Sequence, residues 1–177
     1  MMDPYAYVAT ETVKGGLSMT IRALHPEDRD KVAAAIRGLD RRSIYLRLFS
    51  YRGELTEAGL DRAMRFDADA ELVLLATIGA GRDEIVIGSA RYVVTAPRVA
   101  EVAFVVEEDY QGRGIASRLL RHLAIVARRQ GIETFEADVL AENSAMQSVF
   151  ARTGWTTQSR REGGVTHVTM RLPENPA

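Results

Sequence analysis

The sequence predicts an α/β (α+β) fold, a mixed and mostly antiparallel central sheet with helices on both faces. Three observations carry this. Apolar runs and amphipathic runs follow each other in the order strand, helices, three strands, helix, strand, helix, hairpin. Most strands are separated by short Gly- or Pro-bearing turns, which suit antiparallel neighbours. Only at Val99–Leu120 (VAEVAFVVEEDYQGRGIASRLL) does a strand run through a glycine turn into a long helix and on to another strand, so parallel pairing is expected only there.

Each element has a local reason. Residues 1–17 form a tail, with Tyr5, Tyr7 and Val13 able to make a short edge strand before the Gly15-Gly16 break. The main domain then spans residues 18–177. Met19–Leu24 alternates as a strand. His25-Pro26-Glu27-Asp28 opens a helix, with Pro early and acids in the first turn, and Gly38 stops it. Asp40–Phe49 makes a second helix whose apolar positions Ile44, Leu48, Tyr45 and Phe49 recur four apart, and Thr56 to about Phe66 a third, with Leu60 and Met64 inward. Glu71–Ile78 is a continuous apolar strand. Glu84–Val94 pairs back on it through the turn Gly79–Asp83, with a bulge or bend at Gly88. Val99–Val106 is the central strand. The helix after Gly112 runs to about Arg129 with Ile115, Leu119, Leu123 and Val126 as its buried stripe. Thr134–Leu140 is a strand, Asn143–Arg152 a helix, and Thr156–Arg160 with Val165–Leu172 a hairpin around Gly163-Gly164.

The 177 residues suit one domain, and with 46% hydrophobic and 27% charged residues the composition is that of a soluble globular protein. A net charge of -1 argues against nucleic-acid binding. No apolar run is long enough for a membrane helix and the N-terminus lacks signal-peptide character, so the expected location is cytoplasmic. There is no cysteine, hence no disulfide and no thiolate nucleophile. The three histidines, His25, His122 and His167, are far apart, so no metal is expected, and structural or exposed roles are expected of them.

The stretch Gln111-Gly112-Arg113-Gly114-Ile115-Ala116 places two glycines and a small residue where a helix begins. The first N–H groups of a helix have no partner within it, and its dipole favours an anion there. Without side chains in the way, these groups form a cradle for a phosphate or pyrophosphate. A P-loop is excluded because the Gly-Lys-Ser/Thr is missing. The G-x-G-x-x-G dinucleotide pattern fails at Ser117.

The string fits Gln/Arg-x-x-Gly-x-Gly/Ala and resembles the pyrophosphate signature of the GNAT N-acetyltransferase superfamily. A second segment, Asn143 to Trp155, resembles the family's Asn-x-x-Ala/Met…Tyr-x-x-x-Gly-Phe, and the resemblance covers residues 19–172. Three further strings, Arg42–Arg47, Glu101–Val106 and Ala137–Asn143, make it similar to the catalytic domains of bacterial protein lysine acetyltransferases. The resemblance implies a sheet whose central strands splay apart around acetyl-CoA. It assigns Phe104, Val105, Val106, Gln111, Gly112, Arg113, Gly114, Ile115, Ala116, Ser117, Asn143, Met146 and Phe150 to the cofactor, with a backbone N–H at Val105 or Val106 facing the acyl oxygen. Glu101 is the candidate general base. It is the one acid within an apolar strand, and burial there would raise its affinity for a proton. The alternative is an ion pair with Arg91 or Arg98. Asp138 is the second candidate, or else a solvent-facing polar rung. Phe150 stands where the family often has a proton-donating Tyr. Arg113 and Arg118 flank the turn, facing phosphates or solvent. Tyr45 and Tyr51 lie where relatives wall the acceptor, or in the core, where Trp155 also belongs. The implied activity is acetyl transfer by direct attack on a protein lysine. The alternatives are a small amine as acceptor or a CoA-binding module without turnover. The protein is expected to be a monomer or homodimer.

Overall fold

The computed structural model describes residues 3–38, 60, 61, 64, 65, 67 and 69–176. One eight-stranded sheet has the order β1-β2-β3-β4-β5-β6-β8-β7. Its strands are β1 (Val8–Val13), β2 (Leu17–Ala23), β3 (Glu71–Ile78), β4 (Ile85–Ala96), β5 (Val99–Val106), β6 (Thr134–Leu140), β7 (Thr157–Glu162) and β8 (Val165–Arg171). All neighbours are antiparallel except β5 and β6, as the strand–helix–strand reading requires. The helices with described bounds are α1 (Arg29–Arg37), α2 (Ile115–Arg129) and α3 (Ser144–Ala151). Leu60, Asp61 and Met64 are helical too. The helix expected at Asp40–Phe49, the rest of the one expected from Thr56 to Phe66, and the residues Tyr45 and Tyr51 lie outside the described residues.

The edge strand the tail allows is present at residues 8–13; it includes Val13 but neither Tyr5, in a 3₁₀ turn, nor Tyr7. β1 pairs along its whole length with β2, from Val8↔Arg22 to Val13↔Leu17. Among its residues only Val13 is buried, so its membership rests on backbone pairing more than on an apolar pattern. Pro26–Asp28 form a 3₁₀ turn before α1, so the α-helix starts later than the proline signal implies.

α2 packs Ile115, Leu119, Leu123 and Val126 onto one face of the sheet, where they meet Ile21, Leu72, Leu74, Ile87, Phe135 and Met170. Each such fully buried side chain stabilises the fold by about 1.5–3 kcal/mol. The opposite face is covered near β3 and β4 by Val32, Ala35 and Met64 over Leu24, Leu75 and Val86. The irregularity expected at Gly88 is present. Ala76 pairs with Gly88 and Thr77 with Val86, which leaves Ile87 without an opposite number. A Cβ on Gly88 would lie 3.0 Å from the Val105 oxygen and 3.5 Å from Leu119 Cδ1, so the bare backbone lets β5 and α2 close in.

Candidate active site

The parallel ladder between β5 and β6 is short. It comprises Val99↔Thr134, Ala100↔Phe135 and Glu101↔Glu136. Beyond Glu101 the two strands part, while β5 stays paired with β4 as far as Val106 and β6 with β8 as far as Leu140. The result is a fork. It opens into a cleft of 420 Å³ between Val102–Val106 on one side and Ala137–Val139 on the other, with the glycine turn and α3 closing its ends.

One prong turns backbone donors toward the fork. Glu107 N–H donates to the Ile87 oxygen on the β4 side (2.8 Å). In an antiparallel pair, alternate residues turn both backbone groups toward the same neighbour. Val105 and Ala103 therefore turn theirs toward β4, and Phe104 and Val106 turn theirs into the fork. Of the two N–H groups the resemblance allows, Val106 has the right direction and Val105 does not.

The turn after β5 is built as the glycine pattern requires. Gln111 Nε2 donates to the Val106 oxygen (3.0 Å) and closes the exit from the strand. Gly112 (φ 79°) and Gly114 (φ 83°, the N-cap of α2) adopt left-handed conformations that disfavour other residues. The first turn of α2 carries no acidic side chain, and Gly112, Gly114, Ala116 and Ser117 line the cleft. An anion at this helix terminus meets backbone N–H groups and the positive end of the dipole. Arg128 and Arg129 occupy the last turn, at the negative end.

α3 forms the far wall. Asn143 lines the cleft, and its side-chain oxygen accepts from Met146 N–H (3.2 Å) as the helix cap. Only its amide NH₂ remains as a donor for a ligand. Met146 lines the same wall. Phe150 is 2% exposed and stands edge-on to Phe104, with ring centroids 6.1 Å apart. It supplies an apolar surface and no proton.

Glu101 occupies the apex of the fork, at the last parallel pair. It is half-buried on the sheet face opposite α2, beside Glu136. Burial raises its pKa above the ordinary carboxylate value, and the negative charges of Asp138 and Glu136 raise it further. Of the two arginines the sequence offers it as partners, Arg91 bonds to Glu71 and Arg98 to Glu133. Glu101 borders the cleft and is not among its lining residues, whereas Asp138 is. Asp138 is no isolated rung either. The β6–β8 register places it opposite His167, whose Nδ1 hydrogen-bonds to its carboxylate, while His167 Nε2 is 3.4 Å from Glu162 Oε2.

Two of the expected cofactor residues sit differently from the rest. Arg113 does not line the cleft; its guanidinium lies over the Tyr110 ring, 5.4 Å from the centroid. Ile115 lines the cleft while the residue is buried in the core at 1% exposure. Sequence reasoning missed Tyr110, Ser148 and Arg152 as lining residues. Arg152 is the cation closing the Asn143 segment, and that position was its one sequence signal. Among the described residues no His/Asp/Glu group is arranged to hold a metal ion, and no helix is long and apolar enough to cross a membrane.

Comparison with known proteins agrees with this geometry. The model of the acetyltransferase (GNAT) family matches residues 40–155. An acetyltransferase of Pseudomonas aeruginosa is 31% identical over 166 residues, covering 92% of this chain and 87% of its own length. Acetyltransferase Pat of Mycolicibacterium smegmatis is 33% identical over 165 residues, and the match spans 91% of this chain but only 48% of Pat. The crystal structure of the GNAT domain of S. lividans PAT superposes with a TM-score of 0.82 at 33% identity, covering 93% of this chain and 97% of that one. The forked strands, the glycine turn and these matches together place the chain in the GNAT acetyltransferase family.

Proposed function

We propose that this chain transfers the acetyl group of acetyl-CoA to a primary amine by direct attack, with both substrates bound, and that the amine is a lysine side chain of a protein. The observation that carries the reading is the fork, an apolar slot with a donor-lined anion turn at one end and a proton-hungry carboxylate at its apex. The residues fit the cofactor. The N–H groups of the Gly112–Ser117 turn would hold its pyrophosphate, and Phe104, Val106, Met146 and Phe150 would flank the acyl-bearing arm. When bound, acetyl-CoA supplies an activated acetyl group.

The protein's own residues supply the rest. An alkylammonium with a pKa near 10.4 lies about 4–5 kcal/mol from its neutral, nucleophilic form at pH 7. Glu101 removes that proton, and its raised pKa brings it nearer the working range of a general base. The Val106 N–H donates to the acetyl oxygen as that atom gains charge. Phe150 excludes water and leaves the thiolate to depart without a protein acid. With no cysteine in the sequence, an acyl-cysteine route is closed, which supports direct attack. The carboxylates of Glu101, Glu136 and Asp138 on one sheet face favour a cationic acceptor. The three short strings similar to protein lysine acetyltransferases favour a protein as its carrier.

Thiol release from acetyl-CoA tests this, with a lysine-bearing protein, free lysine, a polyamine and an aminoglycoside as acceptors. We expect turnover on the protein, with modified lysines located by mass spectrometry. Release with the small amines alone would refute the lysine assignment.

A further inference from the structure

A buried histidine that the proposed mechanism does not use joins the N-terminal strand to the anion turn. His122, on α2, is 8% exposed. The Tyr7 hydroxyl is 2.5 Å from its Nδ1, and Glu11 Oε1 is 2.7 Å from its Nε2. A carboxylate only accepts, so Nε2 donates to Glu11, and a neutral ring accepts the Tyr7 proton at Nδ1. Glu11 thereby has a fixed place on β1. Its other oxygen, Oε2, lies 3.5 Å from Arg118 Nε. Arg118 Nη1 in turn donates to the Gly114 oxygen (3.2 Å).

Gly114 is the N-cap of α2, and its carbonyl belongs to the same planar peptide as the Ile115 N–H. In that plane the C=O and N–H point in opposite directions. The Gly114 oxygen accepts from the Arg118 backbone N–H (3.2 Å) and from its guanidinium together, so the guanidinium reinforces the aim of the first N–H of α2 and polarises that peptide toward donation. Both Gly114 and Ile115 line the cleft. Arg118, expected from the sequence to meet phosphates or solvent, here bonds to the backbone of the turn and pairs with β1.

We propose that Glu11, held by His122 and Tyr7 and acting through Arg118, is a positioning residue for the cofactor's pyrophosphate. The N-terminal strand is then part of the binding apparatus, by way of side chains that never touch the ligand. The inference rests on the reading of the turn as the pyrophosphate site. Two acyl donors separate the two ideas: acetyl-CoA, and S-acetylpantetheine, which lacks the pyrophosphate and nucleotide.

For Glu11→Gln we expect KM for acetyl-CoA to rise about fivefold, with kcat within about twofold of wild type, as befits one ion pair, without a hydrogen bond, acting at second hand. With S-acetylpantetheine kcat/KM should not change. Tyr7→Phe, which removes a single hydroxyl, should show a smaller rise in the same pattern and carries the test if Glu11→Gln does not fold. An unchanged KM for acetyl-CoA, or an equal loss with both donors, would overturn the proposal. If instead the wild-type protein uses the two donors equally well, the pyrophosphate reading itself fails.

Discussion

Three glycines with left-handed backbones offer a controlled test of the anion turn. Gly112 (φ 79°), Gly114 (φ 83°) and Gly163 (φ 61°) each force an added methyl group into a conformation that costs an L-residue roughly 1–2 kcal/mol. For a domain of this size that corresponds to a fall in Tm of about 2–8 °C. Their surroundings differ. An alanine Cβ at 112 or 163 meets nothing within 4 Å, whereas at 114 it stands 2.6 Å from Arg118 Nη1. Arg118 is flexible and can retreat, but only by releasing the Gly114 carbonyl. All three Gly→Ala variants should therefore lose similar stability in thermal unfolding. Gly163→Ala, in the distant hairpin, should keep wild-type KM for acetyl-CoA. Gly112→Ala should raise it by distorting the turn, and Gly114→Ala should raise it most. If Tm does not fall, the strain argument is wrong. If all three fall in Tm and none changes KM, the turn is not the anion site.

Other outcomes follow from the same geometry. Glu101→Gln should lower kcat by about 10²–10⁴-fold while calorimetry shows unchanged CoA affinity. Because the base must be ionised, kcat/KM should rise with pH through the Glu101 titration. Asp138→Asn removes one of the charges that raises that pKa, so the acidic limb should shift to lower pH. Phe150→Ala, at a site 2% exposed, should cost about 3–5 kcal/mol in chemical denaturation. Glu84 bonds to Arg22, Lys31 and Thr77, and the Arg22 guanidinium above all holds its pKa down at about 2, against 4.5 ordinarily. The stability this gives is complete above the ordinary value and is lost as pH falls from there toward 2. Glu84→Gln should accordingly flatten the acid limb of the stability curve.

Much of the scaffold was legible because its signals are local. The α2 stripe, the glycine turn and the Gly88 irregularity each follow from residues adjacent in sequence, and each appears where the pattern points. β1 was ambiguous because its pairing with β2 owes little to apolar alternation. Most of the candidate residues named from the sequence line one cleft, but their directions could not be read from it. No spacing rule says that β5 and β6 part at Glu101, since that depends on how α2 and α3 sit in three dimensions. Register, equally, is what separates Val106 from Val105 as the inward donor. Arg113 and Arg118 look alike in sequence as candidates for a phosphate. One rests on an aromatic ring and the other on a carboxylate from β1, and both partners are fixed by tertiary structure.

The fork has a consequence for the protein's solubility. An unpaired strand edge is a template on which another chain can add itself, and soluble proteins blunt such edges with charges, bulges or cover. At one outer rim this protein does so with a fully exposed, arginine- and glutamate-bearing β7. Where β5 and β6 diverge, two further edges open in the middle of the sheet, and one of them is almost wholly apolar. Charging that edge would spoil the slot. Instead it is recessed, with α2 and α3 on one side and the intact ladders to β4 and β8 flanking it. The concavity proposed for the ligand thus also sets the two inner strand edges back from an approaching chain.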